Sequence, residues 1–316
     1  SKVAEKAKTG PKLRFTSLAH LLTPEFLKET RKQMNRHGAS GVDGETIRDY
    51  ERDLDGRIGD LHERLKAGRY KAPPVRRVDI PKGNGKMRTL GIPTVEDRLV
   101  QRAVARILGA IYEADFYDAS YGFRPGRNPH QALHKLRNCV MAGRVGYVFE
   151  ADIRGYLDHI NHYWLMRMLK ARIGDKRILR LIEKWLRAGA MANGVVIVTG
   201  EGTPQGGSIS PLPSNVYLHY VLDRWFEIGC KPSFQGEATL IRFADDYVVC
   251  FQYKEDAERF HRVLKKRMAK HGLELAEEKT RLVRFGRFAG EEAETFDFLG
   301  FTHVCGRDRK GRYAVI

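Results

Sequence analysis

The chain has 316 residues, 42% of them hydrophobic and 10% aromatic, which supports a substantial core in two or three subdomains and excludes a disordered chain. A net charge of +17 points to a polyanionic partner, with nucleic acid first and an anionic membrane surface second. No apolar run approaches the ~20 residues of a membrane span, the Ser1–Lys8 stretch lacks the apolar core of a signal peptide, and Cys139, Cys230, Cys250 and Cys305 lack metal-ligand spacing, so a cytoplasmic protein with reduced thiols is expected, without membrane or structural zinc.

Residues 1–14 are basic and are expected to be mobile. Thr23-Pro24-Glu25 reads as a helix start, with a capping hydroxyl and proline in the first turn, and Gly38 as its end. A glycine-rich loop over 38–44 follows. Ile47, Tyr50, Leu54, Ile58, Leu61 and Leu65 recur at steps of three and four, one apolar helical face that Gly68 ends. Val75–Ile80 and Met87–Leu90 read as a hairpin around Pro81–Lys86. Thr94 with Asp97 predicts a capping box opening a long helix through Ile111. After an irregular stretch, Asp115–Pro129, the pattern predicts helix, strand (Val145–Ile153) and two helices to Gly189, then a short strand, Val195–Thr199. The loop over 202–211 leads into a helix near Asn215–Phe226, an acidic hairpin, a helix over Glu255–Gly272 and short strands. Helices interleaved with hairpins predict an α+β fold.

Two pieces carry chemistry. Ile241-Arg242-Phe243-Ala244-Asp245-Asp246-Tyr247-Val248-Val249-Cys250 is a strand, an acidic turn and a strand. Adjacent carboxylates repel, so such a turn is stable mainly when solvated or when a cation sits on it. Asp152 at the end of another apolar strand would complete a hard-oxygen site for two divalent ions, the chemistry of nucleotide polymerisation. Either piece alone is also what a capping Asp and an unrelated turn would give. Lys82, Lys86 and Arg88 at the hairpin tip suit a triphosphate clamp or an ordinary solvated cluster. Glycines around Gln205 allow close approach to a base pair, and Tyr121-Gly122-Phe123-Arg124 mixes stacking rings with guanidinium. His130 with His134, and His159 with His162, lack the partners of a metal site and read as exposed or packing residues.

The chain resembles group II intron-encoded reverse transcriptases over nearly its whole length. The resemblance rests on Gly41-Val42-Asp43-Gly44, Ile80-Pro81-Lys82 with Arg88-Thr89-Leu90-Gly91-Ile92-Pro93, and Ser120-Tyr121-Gly122-Phe123-Arg124-Pro125-Gly126. It continues through Asp152-Ile153-Arg154-Gly155, Gly202-Thr203-Pro204-Gln205-Gly206-Gly207, Phe243-Ala244-Asp245-Asp246, Gly272-Leu273-Glu274-Leu275 with Glu278-Lys279-Thr280, and Phe298-Leu299-Gly300-Phe301.

This resemblance implies a right-hand polymerase with an antiparallel palm sheet flanked by helices. Its parts would be a fingers extension (1–70), fingers (71–140 and 166–198) and palm (141–165 and 199–316, with the primer grip at Phe298–Phe301). Asp152, Asp245, Asp246 and the Ile153 carbonyl would hold two Mg²⁺, with Mn²⁺ as the alternative. Lys279 would protonate or neutralise the pyrophosphate leaving group. Lys82, Arg88, Ile153, Tyr156, Leu157, Gln205 and Ala244 would bind the nucleotide. Arg124, Pro204, Gly206, Leu299 and Gly300 would meet template or primer. Implied partners are dNTPs, an RNA template, a DNA or RNA primer, and intron RNA, in the bacterial cytosol or nucleoid. The chain stops at Ile316, short of the family's helical thumb and its DNA-binding or endonuclease regions, and reads as a fragment expected to hold primer–template weakly. A relative recruited to CRISPR or phage defence would share these motifs, an RNA-binding splicing cofactor would lack the activity, and a viral RNA-dependent RNA polymerase would have other flanking loops.

The sequence departs from the family at several points. Pro213 is expected only to fix a helix start, and Asn161 and Ala276 carry no assigned role. The fifth residue after Asp152 is Leu157, where the family has an aromatic gate against the sugar 2′-hydroxyl. An aliphatic chain is narrower and less rigid than a ring. In paired dNTP and rNTP extension assays the wild type is therefore expected to accept ribonucleotides more readily than Leu157→Phe; equal, strong discrimination by both overturns the idea.

Overall fold

The computed structural model describes residues 1–81, 85, 87–192, 195–198, 202 and 210–315. In chain order the elements are α1 (Lys2–Thr9), α2 (Pro24–Lys32), α3 (Ile47–Glu51), α4 (Leu54–Lys66), β1 (Val75–Pro81), β2 (Met87–Ile92), α5 (Val95–Tyr112) and α6 (Pro129–Ala142). There follow β3 (Tyr147–Ala151), α7 (His162–Arg172), α8 (Lys176–Arg187), β4 (Ala190–Ala192), β5 (Val195–Ile197) and α9 (Pro211–Leu218), which runs on into π-helical turns at His219–Asp223 and Phe226–Cys230. The chain finishes with β6 (Ala238–Phe243), β7 (Asp246–Phe251), α10 (Lys254–Lys270), β8 (Arg281–Arg284), β9 (Phe296–Phe298), β10 (Phe301–His303), β11 (Cys305–Arg307) and β12 (Tyr313–Val315). The mixed helix and strand content agrees with the α+β expectation.

Two compact units emerge: Ser1–Asp115 with Leu157–Val216, and Phe116–Tyr156 with Tyr217–Ile316. The first is built around α5. Its apolar positions Leu99, Val100, Val104, Ile107, Leu108 and Ile111 are buried, and α1, α2 and α3 pack on it. A four-stranded sheet in the order β2-β1-β4-β5 accompanies it, with β1 and β2 forming the expected hairpin.

Several sequence expectations change here. Residues 1–14 are anchored: α1 packs on α5, and the buried Arg172 donates from Nη1 to the Gly10 and Leu13 carbonyls at 2.8 and 2.7 Å. The basic segment thus has fixed partners, and just beyond it Asp175 accepts from the Leu18 and Ala19 amides. The helix opened by Thr23 ends at Lys32, short of Gly38. The Ile47–Leu65 face is split into α3 and α4, because the Asp53 side chain caps a new helix start at Gly56 N. Gly68, at φ 70°, ends α4 as expected. Beyond Leu218 the predicted helix continues in π geometry.

Thr94 caps α5 by accepting from Asp97 N, but Asp97 does not complete the box. Its buried carboxylate instead accepts from the Tyr70 hydroxyl, from Trp185 Nε1 at 2.7 Å and from Gln101 Nε2 at 2.9 Å. Asn161, unassigned from sequence, caps α7 through Trp164 N.

The second unit carries an all-antiparallel sheet in the order β6-β7-β3-β8. Alternation decides the faces. Val148, Val248, Cys250 and Ile241 join a cluster with Leu136 and Val140 of α6. Phe149 and Phe251 point the other way, toward Phe260 of α10 and the rings of Trp225, Phe226 and Phe234. Covered on both faces, β7 reads as a near-continuous apolar run.

Burial outweighs the three donors and pushes the Asp97 carboxyl up to about 6. Raised above the unfolded value, this group contributes stability below about pH 4 that is lost as pH rises through 6. Asp97→Asn should remove that pH dependence while keeping an acceptor oxygen, whereas Asp97→Ala should cost about 3–5 kcal/mol by orphaning buried donors. Urea unfolding of both variants at pH 5 and pH 7 checks this.

Candidate active site

Strand pairing assembles the site. In the antiparallel register of β3 and β7, Ala151 faces Tyr247, so Asp152 just after β3 and Asp246 at the start of β7 come to adjoining strand ends. On the other side of β7, Phe243 pairs with Asp246, leaving Ala244-Asp245 as a two-residue turn. Such turns favour a positive φ, which glycine supplies without cost. Here Ala244 adopts it, at 56°. Among the described residues two other non-glycine positions share this conformation, Phe123 at 55° and Leu299 at 54°. Both adjoin the turn that holds Ala244: Gly122, directly before Phe123, abuts Ala244 N so closely that a Cβ there would lie 2.3 Å away, and Leu299 N donates to Asp246 Oδ2 at 3.2 Å. Backbone strain clustered in this way marks functional sites.

Asp152 is held from its other flank. Its carbonyl accepts from Ala276 N at 2.9 Å, Ile153 bridges Leu275, and Arg154 N donates to the Glu274 carbonyl. This ladder feeds the short helical turn Glu277–Lys279, whose Lys279 Nζ reaches Asp152 Oδ2 at 2.9 Å. Hydrogen bonding to that carboxylate holds the Lys279 ammonium above the ordinary lysine range. Ala276 thus acquires a role through its amide rather than its side chain.

Glu150, Asp152, Asp245, Asp246, Glu278 and Asp297 line one open cleft of about 750 Å³, against two cations, Lys279 and Arg281. In a chain of net charge +17 this is a local reversal of sign. Burial, with the negative charge of Asp245, Asp152 and Glu150, pushes the Asp246 carboxyl up to about 6, against the Leu299 amide that favours its ionised form. Neither Glu150 nor Asp297 stands in a motif that marks it in the sequence. Glu150 lies two residues before Asp152, so strand alternation puts the two on one face. Arg281 pairs with Glu150 at 2.9 Å.

The second unit therefore brings together Asp152, Asp245, Asp246, Lys279, Leu299 and Gly300 along one cleft, with Ala244 in the turn and Ile153 and Tyr156 buried beside Asp152 in sequence. Arg88 on β2 and the half-buried Leu157 belong to the first unit. Lys82, Pro204, Gln205 and Gly206 lie outside the described residues. Arg124, expected at template or primer, is buried and donates to the Tyr117 and Ser120 carbonyls at 2.7 and 2.6 Å, bracing its own loop. His162 and His134 bond a carbonyl and Asn138, as packing and surface histidines do. Among the described residues no three His, Cys, Asp or Glu side chains converge tightly enough to grip an ion as they stand. Lys279 engages Asp152 and the Leu299 amide engages Asp246. No helix among the described residues is long and apolar enough to cross a membrane.

Residues 80–303, which include every cleft residue named above, match the family model for reverse transcriptase (RNA-dependent DNA polymerase), and with it the fingers and palm fold. The chain is 37% identical to Protein YkfC of Escherichia coli over 281 residues, covering 78% of this chain and 74% of that protein. It is 43% identical to the group II intron-encoded protein LtrA of Lactococcus lactis over 183 residues, 58% of this chain but 30% of that relative. Nuclear intron maturase 1 of Arabidopsis thaliana is 36% identical over 95 residues, 30% of this chain and 13% of that protein. The chain belongs to the reverse transcriptase (RNA-dependent DNA polymerase) family, among the group II intron-encoded reverse transcriptases and maturases.

Proposed function

We propose that this chain polymerises DNA on an RNA template at the acidic cleft, as the catalytic part of a group II intron protein. The second unit serves as palm, with Phe298–Phe301 as primer grip, and the first as fingers. The observation that carries this reading is the juxtaposition of Asp152, Asp245 and Asp246 at adjoining strand ends, with Lys279 on the same cleft.

The donor set fits a hard divalent cation such as Mg²⁺: oxygen ligands only, crowded enough that burial and mutual repulsion raise Asp246. Asp152 and Asp245, with the Ile153 carbonyl and Asp246 beside them, would hold two ions. Bound there, the ions would supply Lewis-acid activation of the primer 3′-hydroxyl and neutralise the phosphates. The remaining work belongs to the chain. Lys279 balances Asp152 at rest and, turned to the leaving group, donates a proton or its charge to pyrophosphate. The Leu299 amide keeps Asp246 oriented and sets the primer-grip hairpin of β9 and β10 against the turn.

RNA binding is supported by the first unit. A cavity of about 370 Å³ is lined by Leu22, Leu65 and Leu181 together with Lys66, Arg177, Arg180 and Lys184, and no acidic side chain lines it among the described residues. Helix α8 carries five cations and one acid, with its apolar residues turned inward. Such a face suits the phosphate backbone of template or intron RNA.

Extension of a DNA primer on RNA with Mg²⁺ tests the reading. Asp245→Ala should abolish it, and Lys279→Ala should slow it by about 10²–10⁴-fold. Retained RNA binding without extension by the wild type would identify an RNA-binding splicing cofactor instead. For the basic face, the triple variant Lys66→Ala/Arg177→Ala/Arg180→Ala should flatten the log–log salt dependence of RNA affinity by about 0.7 per lost phosphate contact. An unchanged slope would remove that face from the interface.

A further inference from the structure

The acidic turn rests on a buried ion pair that takes no part in the cleft. Arg242 on β6 and Asp223, the last residue of the first π-helical turn, are both fully buried. Arg242 donates from Nε to Asp223 Oδ1 at 2.8 Å and from Nη2 to Asp223 Oδ2 at 2.6 Å, a bidentate fork that fixes the guanidinium plane. With the plane fixed, Nη1 is aimed at the Ala244 carbonyl, 2.6 Å away. Nη2 also reaches Ser120 Oγ at 2.9 Å. The Arg242 main chain is held as firmly: its amide donates to the Ala119 carbonyl and its carbonyl accepts from Tyr121 N, so residues 119–121 cover the outer edge of β6. The same segment delivers Gly122 against Ala244 N.

Ala244 is the strained residue directly before Asp245. A backbone conformation of this kind persists only where the surroundings over-determine it. Here the carbonyl side is gripped by Arg242 and the amide side is packed by Gly122.

We propose that Arg242, oriented by Asp223, is a positioning residue that sets the Ala244-Asp245 turn and thereby the direction in which Asp245 and Asp246 present their carboxylates to divalent cations. The proposal rests on the polymerase reading of the cleft, and the competing role is plain fold stabilisation. A buried ion pair is a weak source of net stability, and replacing it whole by apolar residues is often neutral. That separates the two roles. Asp223→Leu/Arg242→Met removes the pair without leaving a buried charge, and the turn loses its tether. Arg242→Lys keeps the charge beside Asp223 but cannot span both Asp223 and the Ala244 carbonyl.

The experiment measures Mn²⁺ affinity by electron paramagnetic resonance, without nucleic acid or nucleotide, alongside urea unfolding and the Mg²⁺ dependence of primer extension. Asp245→Ala is the control that assigns the bound Mn²⁺ to the cleft. The double variant is expected to unfold near the wild-type midpoint yet lose about 10–100-fold in Mn²⁺ affinity, the range for groups that orient metal ligands. The Mg²⁺ needed for half-maximal extension should rise in parallel while the KM for dNTP barely moves. Arg242→Lys should shift the same way, and it decides the matter if the double variant does not fold. Wild-type Mn²⁺ affinity and Mg²⁺ dependence in either folded variant overturns the proposal. Absence of extension by the wild type overturns the polymerase reading instead, and the Mn²⁺ arm still reports on the turn.

Discussion

Carboxylates crowded at adjoining strand ends repel one another, and the second unit is organised around that repulsion. Asp152 and Asp246 are brought together by the register of β3 against β7, a pairing secured by apolar side chains on both faces of the sheet. Because a one-residue slip would turn every side chain to the opposite face, the buried clusters fix the register and the register fixes the acids. The remaining misfit is absorbed locally. Ala244, Phe123 and Leu299 hold an unfavourable backbone conformation, each costing about 1–3 kcal/mol, which only a well-packed surrounding sustains.

What could be read from the amino-acid order was whatever leaves a local or periodic trace. The acidic hairpin was legible because apolar alternation flanks it on both sides, and α5 because Thr94 and its apolar face agree. Asp152 was legible only in combination, since one acid after a strand is common. Arg242 was invisible: in Ile241-Arg242-Phe243 it looks like a polar residue on a strand edge, and its partner sits in a helix whose π geometry has no sequence signature. Asp97 resembled half of a capping box because the spacing to Thr94 is right, yet Tyr70 and Trp185 claim its carboxylate. The basic N-terminus looked mobile for a related reason. Charge composition records solvation, while its anchors are carbonyls gripped by a distant arginine. Long-range hydrogen bonds to main-chain atoms are the part of a fold that spacing cannot reveal.

The two units also divide the electrostatics. Basic side chains are spread over α8 and the cavity beside it, whereas carboxylates are concentrated in one cleft of the other unit. A polyanion is attracted broadly and repelled at one place, and at that place only cations can moderate the repulsion. Lys279 on Asp152 is the chain's own partial answer to that deficit.

The π turn at His219–Asp223 has a further consequence, one of chain length. A π turn amounts to one residue more than an α-helix needs over the same rise. Loss of a single residue here would let the turn relax to α geometry while the helix on either side kept nearly its present facing, since about five residues of π-helix turn as far as about four of α-helix. Asp223 would then still meet Arg242. The π turn is thus one residue of slack ahead of Asp223, and it is a second loss, with nothing left to absorb it, that would turn the carboxylate away from Arg242.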